Sequence, residues 1–182
     1  MKLLIGVTAS SGAIHFPFYL TYFKEFFSEI QIIVSENAKN FISPDALRLL
    51  NCKVHTNLFP WNDERSHVRL AAWADLFAII PATANILAES AHGFARSLLS
   101  ATILCHEKPV LFFPNMNDVM WNAKTTQRNV SLLREAGHLV ISPVEQVGFE
   151  VAKGKLQVGG YMPPPMDIVP ILQTEYEKRV KL

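Results

Sequence analysis

The sequence predicts an α/β fold of the flavodoxin-like or Rossmann-like kind, a three-layer sandwich built on a parallel sheet. Three observations carry that prediction. Short, nearly continuous apolar runs recur at residues 3–7, 30–34, 76–80, 110–113 and 138–141, each bounded by turn residues, as strands buried on both faces require. Segments long enough for helices lie between them, and such alternation implies right-handed crossovers covering both faces of the sheet. Small, hydroxyl-bearing and carboxamide residues follow the strands directly, which is where open α/β sheets bind ligands.

Each element has its own reason. The run at 3–7 is shorter than the apolar core of a secretory signal and reads as a buried first strand. Helices are expected at 17–27 and, after the second strand, at 38–50. The third strand leads to an expected helix over 85–104. The fourth leads to one over 125–136, followed by the fifth strand. From Lys153 to Pro165 the chain turns Gly- and Pro-rich, with Gly154, Gly159, Gly160 and Pro163 to Pro165. This stretch is expected to be a mobile flap or an arm packed on a neighbour, ahead of a short charged helix. Residues 1–182 are expected to form one domain.

Composition narrows the function. With 49% apolar and 18% charged residues, the chain lies outside the range of disordered sequences. Its 17 basic and 16 acidic residues give a formal charge of +1, so no global field draws it to nucleic acid or anionic membranes. Asp75 and Pro81 interrupt the longest apolar stretch before it reaches membrane-spanning length. Cys52 and Cys105 lie far apart and form no CxxC or metal-binding pattern, which excludes a disulfide framework and points to a cytoplasmic protein.

The first strand runs into Thr8-Ala9-Ser10-Ser11-Gly12, the second into Ser35-Glu36-Asn37, and the third into Pro81-Ala82-Thr83-Ala84-Asn85. Hydroxyls and exposed N–H groups at helix starts suit a phosphate, although each residue alone could simply cap a helix. Three such loops together favour a mononucleotide phosphate site. In Pro114-Asn115-Met116-Asn117, two carboxamides could orient a carboxylate or a ring edge, with Met120 and Trp121 as apolar walls, or could form a plain turn. His67 opens a segment where an imidazole could face a cleft and move protons, or could be a surface or capping residue. His15, His55, His92, His106 and His138 lack metal spacing and read as structural. Asp63 and Glu64 are the weaker candidates, as adjacent solvated acids. No metal site is expected.

Taken together, Gly6-Val7-Thr8-Ala9-Ser10, Pro81-Ala82-Thr83-Ala84-Asn85 and Pro114-Asn115-Met116-Asn117 with Met120-Trp121 resemble the homo-oligomeric flavin-containing cysteine decarboxylases, over nearly the whole chain to about Gly154. Within that family the chain is most similar to the peptidyl-cysteine decarboxylases of the epidermin and mersacidin type. The resemblance implies FMN, with its phosphate near Ser10, Ser35 and the loop of Thr83, Ala84 and Asn85. Thr8 and Ser97 are further expected cofactor contacts. It makes His67 the active-site histidine, Asn117 the holder of the substrate carboxylate and Met120 a wall of the substrate pocket. It also implies a precursor peptide ending in Cys as substrate, a homotrimer or dodecamer in which His67 serves a neighbour's flavin, and a mobile substrate clamp at 153–165. Where many relatives have Ala-Asp-Asn-Leu, this chain has Ala95-Arg96-Ser97-Leu98.

The implied chemistry is oxidative. A flavin converts the cysteine thiol to a thioaldehyde, the carboxylate then lies β to a C=S group, and decarboxylation gives an aminoenethiol able to cyclise into an aminovinylcysteine ring. Phosphopantothenoylcysteine decarboxylase is the nearest rival, but that family usually carries a clamp cysteine, and here no cysteine follows Cys105. A flavin prenyltransferase is a third reading, since it normally lacks the PxMNxxMW segment. A non-enzymatic flavin-binding regulatory subunit is the fourth, disfavoured by the presence of both the histidine and the loop asparagine.

Overall fold

The computed structural model of the chain describes residues 1–56, 66–150 and 153–181. Six strands form its main sheet: β1 (Lys2–Val7), β2 (Glu29–Val34), β3 (Lys53–His55), β4 (Leu76–Ala82), β5 (Val110–Pro114) and β6 (Leu139–Val140). All neighbours pair in parallel, in the order β3-β2-β1-β4-β5-β6. Of the two architectures expected, this is the Rossmann order. The strand sequence reverses between β1 and β4, and that switch point opens a crevice at the carboxyl edge.

The alternation of side chains explains the three layers. From β1, Leu3, Ile5 and Val7 face one core shared with α1 (Phe16–Phe23) and α8 (Pro165–Val180). Leu4 faces a second core with α3 (His67–Trp73), α4 (Ala84–Ala91), α5 (Leu98–Cys105) and α7 (Lys124–Glu135). Every residue of β4 is buried, because helices cover it on both sides.

The helix expected over 85–104 is two helices. Gly93, at φ +68, takes a left-handed conformation that ends α4, and a capping box between Ser97 and Ser100 starts α5. The helix expected over 38–50 is also divided. A 3-10 turn at Glu36–Asn40 precedes α2 (Pro44–Leu49), since a proline disfavours helical backbone just before it and Ser43 can then cap. The three-residue β3 and the five-residue α6 (Asp118–Asn122) are too short to show a period in the sequence.

The tail differs most from expectation. Residues β7 (Val144–Glu150) and β8 (Lys155–Tyr161) pair as an antiparallel hairpin, register Val144↔Tyr161 to Glu150↔Lys155. Residues 162–165 are not part of an arm. Met162 is buried in the first core, the Pro163 carbonyl accepts the Tyr19 hydroxyl at 3.1 Å, and Pro165 begins α8. The final helix is also long, at 16 residues. Ile168, Val169 and Leu172 bury its inner face, worth about 5 kcal/mol or more before entropy. Its far end is pinned by Arg179, whose guanidinium donates to the Asp75 and Pro109 carbonyls at 3.0 and 2.7 Å and to Glu175 at 3.1 Å.

Candidate active site

Three loops meet at the β1/β4 switch point, and Thr8 ties two of them. Its hydroxyl donates to the Pro81 carbonyl at 2.7 Å and accepts the Thr83 N–H at 3.0 Å. The residue is buried and does not line the cleft, so Thr8 holds the crevice in shape. Ser35 N–H donates to the Val7 carbonyl at 3.0 Å, which draws the loop after β2 beside the one after β1. From the β5 side, Asn115 N–H donates to the Ala82 carbonyl at 2.9 Å, and its Oδ1 accepts the Gly12 N–H at 3.1 Å. A Cβ on Gly12 would stand 2.7 Å from that Oδ1, so glycine is what lets the two loops touch.

The hydroxyl and amide residues that begin helices fall into two groups. Ser43, Ser66, Thr83, Ser97 and Asn117 each accept a backbone N–H of their own helix through the side chain. Ser10 and Ser35, both in extended backbone before 3-10 turns, do not. The Ser10 Oγ is moreover buried without a hydrogen-bond partner, an arrangement that costs free energy unless a bound group satisfies it. The two serines that follow β1 and β2 therefore keep donors for a ligand, and a phosphate fits their chemistry. Ser97 is committed to its capping box, and Asn85 points away, its Nδ2 donating to Glu89 Oε1 at 3.0 Å. Ala84 follows the Thr83 cap as the first residue of α4.

A cavity of about 760 Å³ opens beside these loops, within the size range of small-molecule sites. Ser10, Thr83 and Asn115 form its floor side, and Met116, Asn117 and Met120 its wall. The hairpin supplies the roof through Gln157 and Tyr161, with Lys153 from the turn between its strands. Asn117 caps α6 through Oδ1, which accepts the Met120 N–H at 2.9 Å and leaves its side-chain amide as a donor toward the exposed side. Of the expected site residues, the structure thus brings Ser10, Thr83, Asn117 and Met120 to one cavity. Thr8, Ser35, Ala84, Asn85 and Ser97 stand outside its lining.

His67 is the first residue of α3, half-buried, behind the Ser66 cap, and is not among the residues that line the cavity. Asp63 and Glu64 lie outside the described residues. Of the other histidines, His106 and His138 make internal structural contacts. His106 Nδ1 bonds the Ala71 carbonyl at 2.9 Å and its ring packs edge-on against Phe77. Burial holds both His106 and His138 below the ordinary imidazole range; at His106 the Ala71 carbonyl opposes the shift and nearby positive groups, led by Arg179, add to it. They border a smaller cavity of about 330 Å³ at the amino ends of β5 and β6, away from the strand ends that carry the loops. Among the described residues no cluster of His, Cys, Asp or Glu could hold a metal ion, and no helix is long and apolar enough to cross a membrane.

Sequence reasoning missed three contributors, Asp118 as a contact to Gly160 and Gln157 and Tyr161 as the roof, and it gave Asn115 a ligand-orienting role rather than that of a bridge to Gly12. Asn115 and the glycine pair were visible as unusual residues. Nothing in the sequence marked Asp118.

Comparison with known proteins identifies the family. The Flavoprotein family profile matches residues 1–175. Mersacidin decarboxylase of Bacillus sp. (strain HIL-Y85/54728) is 38% identical over 180 residues, covering 99% of this chain and 93% of that protein. A variant of the peptidyl-cysteine decarboxylase EpiD in complex with the substrate peptide DSYTC superposes with a TM-score of 0.84 at 29% identity, covering 94% of this chain and 98% of that one. The FMN-dependent cysteine decarboxylase SpaF superposes with a TM-score of 0.81 at 29% identity, covering 97% of each chain.

Proposed function

This chain belongs to the flavoprotein family, in its lantibiotic-type peptidyl-cysteine decarboxylase branch, and on that premise we propose how its site removes the carboxylate of a C-terminal cysteine. The protein is an FMN-dependent decarboxylase. The observation that carries the reading is the uncommitted, buried Ser10 hydroxyl in a cleft with a carboxamide wall and a hairpin roof, next to the loop that the uncapped Ser35 begins.

In this reading the FMN phosphate is held by the Ser10 and Ser35 hydroxyls and by backbone N–H groups of the loop that Thr83 starts. When bound, FMN supplies the oxidant, accepting the electron pair and hydrogen equivalents from the cysteine Cβ and Sγ so that the carboxylate comes to lie β to a C=S bond and leaves as carbon dioxide. The chain's own residues orient and screen. Asn117 presents its amide N–H to the substrate carboxylate, fixing the carbon–carbon bond that breaks. Met116 and Met120 provide apolar surface beside it, which favours loss of a charged carboxylate as neutral carbon dioxide. Gln157 and Tyr161 cover the peptide from above. The product is a peptide aminoenethiol, competent to cyclise into an aminovinylcysteine ring.

His67 moves or orients a proton at the substrate thiol, and it does so from a neighbouring subunit. Its place outside the cavity lining of its own chain supports a homotrimer, further assembled or not into a dodecamer, in which α3 of one copy completes the site of the next. A cytoplasmic location is part of the same reading, supported by the two free cysteines. The test is mass analysis of peptide after incubation with FMN-loaded protein. A short peptide ending in free Cys should lose carbon dioxide together with a hydrogen pair, whereas phosphopantothenoylcysteine should be untouched. Loss of carbon dioxide from the small molecule alone would overturn the reading. His67→Asn should keep its FMN while turnover falls by about 10² or more, the usual size of a proton-transfer contribution.

A further inference from the structure

Strand formation does not explain two adjacent glycines in β8. Glycine weakens a strand interior and often marks close approach by another group. Gly159 and Gly160 stand opposite Gln146 and Glu145 in the ladder, and neither has the left-handed backbone found at Gly93, Gly137 and Gly154. What Gly160 above all provides is room. A Cβ on Gly160 would stand 3.0 Å from Asp118 Oδ1, and one on Gly159 would stand 3.4 Å from Asp118 Oδ2. Both carboxylate oxygens thus lie against the Gly159 and Gly160 backbone, and the Gly160 N–H donates to Oδ1 at 3.1 Å.

Two other polar contacts of the hairpin stay within it or at its base. Tyr161 hydroxyl donates to the Gly148 carbonyl at 3.0 Å, and Gln146 Nε2 to the Met162 carbonyl at 2.9 Å. The Asp118 contact instead reaches from the roof to the opposite wall of the cavity. Asp118 follows Asn117 directly and opens α6, so the residue that fastens the roof and the one assigned to the substrate carboxylate share one short helix start.

We propose that Asp118 is the latch that closes the β7–β8 hairpin over the cavity, a positioning residue that sets how tightly the C-terminal segment of the peptide is held. Its kinetic consequence rests on the peptide-decarboxylase reading; the closure does not. A peptide in the cavity lies between the Asn117 wall and the Gln157 and Tyr161 roof. Opening the roof lets it escape while the groups around the reacting cysteine stay in place, so losing the latch weakens substrate retention.

FMN-loaded parent, Asp118→Ala and Asp118→Asn proteins are compared in two measurements. One is steady-state turnover of a synthetic pentapeptide ending in free cysteine, and the other is amide hydrogen exchange of strand 155–161 without peptide. Asp118→Ala should raise KM about tenfold, the size of one solvent-accessible hydrogen bond to a charged group, with the loss in KM rather than kcat. Exchange in the strand should accelerate by a similar factor. Asp118→Asn keeps an acceptor oxygen and should restore most of both. Unchanged KM and unchanged exchange in Asp118→Ala overturn the latch, as does a loss confined to kcat. If the parent protein leaves the peptide unreacted, the functional reading fails, and the exchange comparison alone decides the latch.

Discussion

Replacing Thr8 by valine separates a structural stitch from a cofactor ligand. Valine keeps the shape but removes the hydroxyl, and at this site the hydroxyl serves two partners from β4 and the start of α4. The Pro81 carbonyl keeps a weaker contact from the Thr8 N–H at 3.3 Å, so its loss is about 1 kcal/mol. The Thr83 N–H loses its acceptor next to a side chain that is only 4% exposed, and an unpaired buried donor costs about 1–3 kcal/mol. The added methyl returns about 1 kcal/mol of burial. The balance is a destabilisation of about 1–3 kcal/mol, which in a chain of this length lowers the melting temperature by about 2–12 °C. Thermal and urea unfolding at fixed protein concentration measure it, with and without FMN, alongside Thr8→Ser, which retains both bonds. Should Thr8→Val unfold like the parent protein while binding FMN more weakly, the hydroxyl contacts the cofactor and the stitch argument is wrong.

Two further outcomes follow from the geometry. Gly12→Ala drives a Cβ to 2.7 Å from Asn115 Oδ1, so the Asn115 side chain must swing away and the bridge between the first and fourth loops breaks. Flavin fluorescence titration should show weakened FMN binding, with a melting temperature near that of the parent, because neither residue is in the core. The second outcome is acid sensitivity. His106 and His138 titrate below their unfolded value of about 6.5 because burial disfavours the imidazolium, so the unfolded chain takes up protons first as pH falls. Their contribution to stability is present above that value and is lost as pH drops through the lower folded values. Urea midpoints should therefore fall between about pH 7.5 and 5.5, and His106→Gln should flatten the dependence.

The strands were legible because a strand buried on both faces announces itself in five consecutive residues, as at 3–7 and 76–80, and so were the loops that follow them. Hydroxyls and carboxamides stood at the right strand ends, and together with Pro114-Asn115-Met116-Asn117 they were enough to identify the family. Short elements were not legible. Neither β3 nor α6 is long enough to complete a pattern, and both exist because the sheet and the loop above it hold them. Residues 153–165 read as a mobile flap or an arm packed on a neighbour because their glycines break the alternation of a strand. Gly160 leaves room for Asp118, which approaches from 42 residues away.

What no reading along the chain could decide is which polar side chains are already occupied. Ser10, Thr83 and Ser97 look alike as small hydroxyl residues before helices, and Thr8 looks as available as Ser10. Their fates depend on partners distant in sequence. Thr8 is used by Pro81, 73 residues on, and Gly12 by Asn115, 103 residues on. Apolar periodicity is a local property, so the residues alone disclose the alternating strands, the crossovers and the edge of the sheet that carries the site. Hydrogen-bond commitment is a property of the packed molecule, since a donor is free for a ligand only when no neighbour brought in by the fold has claimed it.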